Sequence, residues 1–157
     1  MRVIELTQGH VAVVDDEDFE RLAQWRWHYA DGYAKRNECI DNAYKAHKYR
    51  TLAMARSIMN PPKGMEVDHR NGNTLDNRRA NLRIVNRAQN QQNRKTHINN
   101  KLGIKGVCFS KAHNRYRARI ISNGVCVRLG WFKTIKEAKA AHDSAAIKLN
   151  GEFARLN

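Results

Sequence analysis

Cysteine is scarce in this 157-residue chain: Cys39, Cys108 and Cys126 are odd in number, widely spread and form no CxxC pair. That argues against a disulfide framework and against a thiolate-bound zinc ribbon, and it points to a reducing, cytoplasmic compartment. Long apolar runs are missing as well. Nothing approaches the roughly 18 residues of a membrane-spanning helix, and the opening MRVIELTQGH lacks a signal-peptide core. Internal repeats and low-complexity tracts are absent. Acid is lacking in one region only. Residues 1–64 hold 10 basic and 9 acidic side chains, whereas residues 65–157 hold 19 basic and 6 acidic, so nearly all of the formal +14 charge lies in the second stretch. Such a segment calls for a polyanionic partner, nucleic acid or an anionic membrane. With 41% apolar and 28% charged residues the chain is globular, not a disordered tail.

Three segments follow one another. In residues 1–64, Arg2–Leu6 and His10–Val14 read as strands about a Gln8-Gly9 turn, and Asp15 or Asp16 can cap a helix reaching Gln24. Alternation of Trp25, Trp27 and Tyr29, then of Tyr33 and Lys35, predicts paired strands. A helix is expected over Thr51–Met59, ending before Pro61-Pro62. Residues 65–97 read as strand (Met65–His69), polar loop, strand (Leu82–Val85) and a helix capped by Asn86. Residues 98–104 form a polar linker. Beyond it come strands at Gly106–Ser110, Tyr116–Ile121 and Val125–Trp131, with Asn123-Gly124 as a hairpin turn. A capping box, Thr134 to Glu137, opens a helix to Asn150, with Ala138, Ala141, Ala145 and Leu149 as its apolar stripe. The fold class is α+β.

The central segment carries chemistry. Phosphodiester hydrolysis needs a base for water, a cation for the phosphate charge and donors that orient the base. Adjacent Asp68 and His69 at a strand end point to opposite sides, so one can face a metal and the other a water. The Asn90 amide oxygen, one turn into the next helix, completes a hard oxygen set with the carboxylate that suits magnesium or manganese. Asn81 can tie the loop by side-chain to backbone bonds. Arg83, Arg87 and Arg94 are candidate phosphate contacts, the last two sharing a helix face.

The run Val67-Asp-His-Arg-Asn-Gly-Asn-Thr-Leu-Asp-Asn-Arg-Arg-Ala-Asn-Leu-Arg83, followed by Asn90-Gln-Gln-Asn93, resembles the HNH endonucleases of phages and homing elements, with their ββα-metal (His-Me finger) fold. The resemblance spans residues 1–97. It implies His69 as general base, Asp68 and Asn90 as holders of a single Mg2+ or Mn2+, and Asn81 as the orienting residue, with Asn77 the second candidate. Relatives often carry His where this chain has Ala55, a change at a packing position outside the catalytic set.

In the last segment Arg115, Arg117 and Arg119 alternate onto one strand face, while Tyr116, Ala118 and Ile120 take the other. Such a basic face fits the major groove. Lys105-Gly-Val-Cys-Phe109, Tyr116-Arg-Ala-Arg-Ile120, Leu129-Gly-Trp-Phe132 and Glu137–Ala146 resemble the Apetala-two (ethylene-response-factor) DNA-binding domain, a three-stranded antiparallel sheet packed on one helix. The resemblance implies Lys105, Phe109, Lys111, Arg117, Arg119 and Arg128 as DNA contacts beside Arg115, and leaves Trp131 and Phe132 to pack between sheet and helix.

The expected organisation is therefore a nuclease domain over 1–97, a linker over 98–104 and a DNA-binding domain over 105–157. The expected activity is metal-dependent cleavage of double-stranded DNA, with no membrane, by a monomer that nicks or a homodimer that cuts both strands, in the cytoplasm of a phage's bacterial host. The rival is a DNA-binding regulator with an inactive nuclease scaffold. RNA binding ranks last, because the arginine strand itself offers no stacking aromatics.

Overall fold

A computed structural model describes residues 1–41, 48–93, 96, 100–122, 124–154 and 156. The chain divides into two compact units, Met1–Val85 and Asn86–Asn157. Among the described residues no helix is long and apolar enough to cross a membrane.

In the first unit, β1 (Arg2–Glu5) and β2 (Val11–Val14) form an antiparallel hairpin with Arg2 opposite Val14. Helix α1 (Asp16–Ala23) follows. Asp15 precedes it but does not cap it: its Oδ2 accepts a bond from the Arg79 backbone N–H at 2.8 Å, tying the helix start to the 70–81 loop instead. Strands β3 (His28–Ala30), β4 (Tyr33–Asp41) and β5 (Lys48–Ala53) make a three-stranded antiparallel sheet. Its first turn is Asp31-Gly32, both at positive φ (52° and 87°), the two-residue geometry that matches strand twist. The helix expected from Thr51 begins only at Met54. Thr51–Ala53 pair with Lys35–Asn37 as strand, and α2 is Met54–Met59, burying Met54, Ala55 and Ile58. β6 (Glu66–His69) and β7 (Leu82–Val85) form the last antiparallel pair. The core joins Ile4, Val14, Leu22, Trp27, Met54 and Leu82. The buried Trp27 indole is satisfied by donating to the Leu22 carbonyl at 2.9 Å.

The second unit opens with α3 (Arg87–Asn93), capped reciprocally: the Gln89 N–H donates to Asn86 Oδ1 and the Asn86 N–H to Gln89 Oε1, both at 2.9 Å. Asn100–Ile104, expected as linker, is a closed turn in which Leu102 and Ile104 pack on this unit's core. β8 (Val107–Ser110), β9 (Arg115–Ser122) and β10 (Val125–Phe132) form an antiparallel sheet with β9 central, and α4 (Ile135–Asn150) packs against it behind the predicted capping box. The stripe of α4 is rotated from the expected one. Ala138, His142 and Ala146 are buried, while Leu149 is exposed. An imidazole fits under the sheet because residue 106 has no side chain. A Cβ there would lie 2.3 Å from the Arg119 carbonyl oxygen and 2.4 Å from His142 Cδ2, at φ +71°. Gly106→Ala combines a left-handed backbone penalty with overpacking against backbone. Thermal denaturation is expected to show a loss of about 2–4 kcal/mol.

Candidate active site

Asp68 and His69 are consecutive on β6, so their side chains leave opposite faces of the strand; both are buried. Asp68 stands opposite Arg83 across the ladder, and Arg83 Nε and Nη2 both donate to Asp68 Oδ2, at 2.9 and 2.7 Å. Arg83, expected to reach DNA phosphates, is only 7% exposed. It is a buried partner of the carboxylate, because the β6–β7 register puts a guanidinium beside a buried anion.

The 70–81 loop is held by its own polar side chains. Asn81 Oδ1 accepts from the Asn71 N–H at 3.0 Å, and Asn81 Nδ2 donates to the Asp76 carbonyl at 2.7 Å. The Arg70 N–H donates to the Asn81 carbonyl at 2.9 Å, closing the loop onto both strands. From the far side, the Asn77 N–H donates to the Val13 carbonyl and the Val13 N–H to the Leu75 carbonyl. Asn77 Oδ1 lies 3.3 Å from His69 Nε2. Since this oxygen can only accept, the ring proton sits on Nε2 and the lone pair on Nδ1. Burial holds the His69 pKa below the usual histidine value, outweighing the Asn77 bond and the nearby Asp68 and Asp76 charges that act in the opposite sense. The imidazole is therefore neutral near pH 7, the state a base needs.

Two further buried carboxylates brace the loop. Asp76 accepts from Arg78 Nε and Nη2, each at 2.7 Å, and this pairing holds its pKa low. For Asp18, burial pushes the pKa up, but the bonds from Arg79 and Arg21 more than offset it, and the net shift is downward. Carboxylates with depressed folded-state pKa values contribute stability that is complete above their unfolded values and is lost as pH falls through the folded ones. Unfolding titrations are thus expected to show a flat stability above about pH 5 and a decline below about pH 4.

Asn90 is half-buried on α3, with its backbone N–H bonded to the Asn86 carbonyl at 3.0 Å. Arg87 is exposed on the same helix, and Arg94 lies outside the described residues. Among the described residues no group of three or more His, Cys, Asp or Glu side chains gathers as a metal cage. Asp68 and Asn90 each carry a hard oxygen donor of the kind a divalent cation takes.

On the second unit, Arg115, Arg117 and Arg119 are exposed on one face of β9, and Arg128 stands opposite Arg119 on β10. Lys111 is exposed just beyond β8. Two expectations change here. Phe109 pairs with Tyr116 (ring centroids 5.0 Å apart), so its ring lies on the sheet's other face, away from the arginines. Trp131 pairs with Arg117, is 41% exposed and stacks with His113 at 4.5 Å; it belongs to the basic face, whereas Phe132 packs in the core. A bulge between Arg128 and Gly130 shifts the β10 alternation, a break that periodicity alone does not reveal. The Lys105 ammonium donates to the Gln92 carbonyl within the unit.

Residues 60–92 match the HNH endonuclease family model. An HNH endonuclease of Acanthamoeba polyphaga mimivirus is 32% identical over 152 residues, covering 96% of this chain and 76% of the relative. The chain belongs to the HNH endonuclease family. Protein 3.8 of Escherichia phage T7 is 36% identical over 63 residues, 40% of this chain and 52% of that protein. No solved structure matches. HNH nucleases generally use a divalent metal ion.

Proposed function

We propose that this HNH nuclease cuts double-stranded DNA with one Mg2+ or Mn2+ per active site, nicking one strand at a time, in a bacterial cell carrying the phage or prophage that encodes it. The carrying observation is a buried His69 whose Nε2 is engaged by Asn77 and whose sequence neighbour is the Asp68 carboxylate, with burial holding the imidazole pKa below its usual value. His69 takes the proton of a water at Nδ1 as the water oxygen bonds to phosphorus. The bond from phosphorus to the 3′ oxygen breaks, its electron pair leaving with that oxygen, which takes a proton from a solvent water, to give 5′-phosphate and 3′-hydroxyl ends. Asp68 and Asn90 would hold the cation in a ββα-metal arrangement; when bound, it neutralises charge on the phosphate and on the departing oxygen. Arg83 keeps the Asp68 carboxylate oriented, and Asn81 keeps the loop closed so that Asn77 stays on the histidine.

Residues 105–157 are read as an Apetala-two-like module that docks its arginine face in the major groove, with residues 1–97 as the nuclease domain. Sheet order, the α4 backing and the exposed Arg115, Arg117, Arg119 and Arg128 support this reading. Supercoiled plasmid incubated with the protein and Mg2+ is expected to become open circular, and EDTA to prevent it. Folded protein that binds plasmid but leaves it supercoiled would instead favour a DNA-binding regulator on an inactive scaffold. For the docking face, Arg117→Ala is expected to weaken duplex binding and to lower the slope of log affinity against log salt by about 1, read by fluorescence anisotropy across a salt series.

A further inference from the structure

The first unit carries a surface that neither the nuclease motif nor the arginine sheet accounts for. The β3–β4 hairpin brings its tip to the HNH loop. Thr74 Oγ1 donates to the Gly32 carbonyl, and the Tyr33 ring sits 6.2 Å from the His69 ring, tilted by 54°. Tyr33 remains 40% exposed. Two residues along the same face, the Lys35 ammonium lies 5.8 Å from the Tyr33 centroid and pairs with Asp31 at 2.7 Å. The Lys35 side chain is 20% exposed and its charge is held in place by Asp31, which is 85% exposed and partly screens it. A fixed cation and an open aromatic face beside a catalytic histidine are what a strand held for cleavage needs: a charge for a phosphate and a flat surface for a sugar or base.

We infer that the β3–β4 hairpin is a substrate arm of the nuclease site, with Lys35 contacting a backbone phosphate next to the scissile one and the Tyr33 ring packing on the adjoining nucleotide. The inference rests on the proposed nuclease reading. It gives residues 1–64 a role despite their near-zero net charge, because what matters is one positioned cation and not a field. It also assigns Asp31 a part: by pairing with Lys35 it weakens the phosphate contact.

The test uses the full chain and a duplex containing a mapped cleavage site, with binding measured in EDTA over a salt series and cleavage measured with Mg2+. Lys35→Gln is expected to weaken binding severalfold and to lower the salt slope by about one. Asp31→Asn, which keeps a residue suited to positive φ, is expected to tighten binding and steepen the slope. Misfolding cannot produce that gain. Tyr33→Ala is expected to raise KM severalfold with a much smaller effect on kcat, and Tyr33→Phe, which keeps the ring, to raise KM less than Tyr33→Ala does. Wild-type affinity and slope in both Lys35→Gln and Asp31→Asn would overturn the inference while leaving a cleaving, His69-dependent wild type, and with it the nuclease reading, intact. A wild type that binds but does not cut with Mg2+ or Mn2+ would overturn both.

Discussion

His69→Ala is expected to cut plasmid nicking by about 10²–10⁴-fold, the range a positioned general base contributes, while duplex affinity stays within a factor of two or so. Loss of rate without loss of binding is the signature of a group that acts on the reacting water. The substituted residue is buried, so folding has to be checked alongside. His69→Ala removes a ring bonded to Asn77 and packed near Tyr33, and some drop in melting temperature is expected. Asn77→Leu is the control that separates the two effects. It disturbs the same pocket but leaves the imidazole, so its melting temperature should fall comparably while its rate falls less. Equal rates for His69→Ala and the wild type in folded protein would remove His69 from the chemistry.

The legible parts of this chain were those in which one short segment carries the whole signal. The Asp68-His69 pair, the polar loop and Asn81 lie within fifteen residues, and the Asn81 side chain makes the loop bonds that its position promised. The capping box at Thr134 and the three strands before it were equally local. What escaped was set by register between strands distant in sequence. Arg83 reads as one more surface arginine until β6 pairs with β7 and places it opposite Asp68. Trp131 reads as core until the β10 bulge turns it outward. The apolar residues of β5, Tyr49, Leu52 and Ala53, follow no two-residue period; its pairing with β4 decides it. Tyr33 could not be tied to His69 from sequence, since the bond from Thr74 to the hairpin tip joins segments some forty residues apart.

Arg83→Met is expected to destabilise the protein by about 3–5 kcal/mol, the usual result of stripping one partner from a buried ion pair. In a unit of this size that is a large share of the total stability, and the melting temperature should drop by well over 10 °C. The apolar methionine fills much of the arginine volume, so the loss reports the missing ion pair more than an empty space. The same variant tests whether Asp68 takes a cation. In the wild type the guanidinium already neutralises the carboxylate, and adding Mg2+ should raise the melting temperature only slightly. In Arg83→Met the carboxylate has lost the guanidinium and gains more from a divalent ion, and binding to the native state alone adds stability as RT ln(1 + [L]/Kd). Millimolar Mg2+ should therefore recover part of the loss in Arg83→Met and none in the Asp68→Asn, Arg83→Met double variant. If Mg2+ affects the single and double variants alike, Asp68 is a structural anion and the metal must be sought on other oxygens.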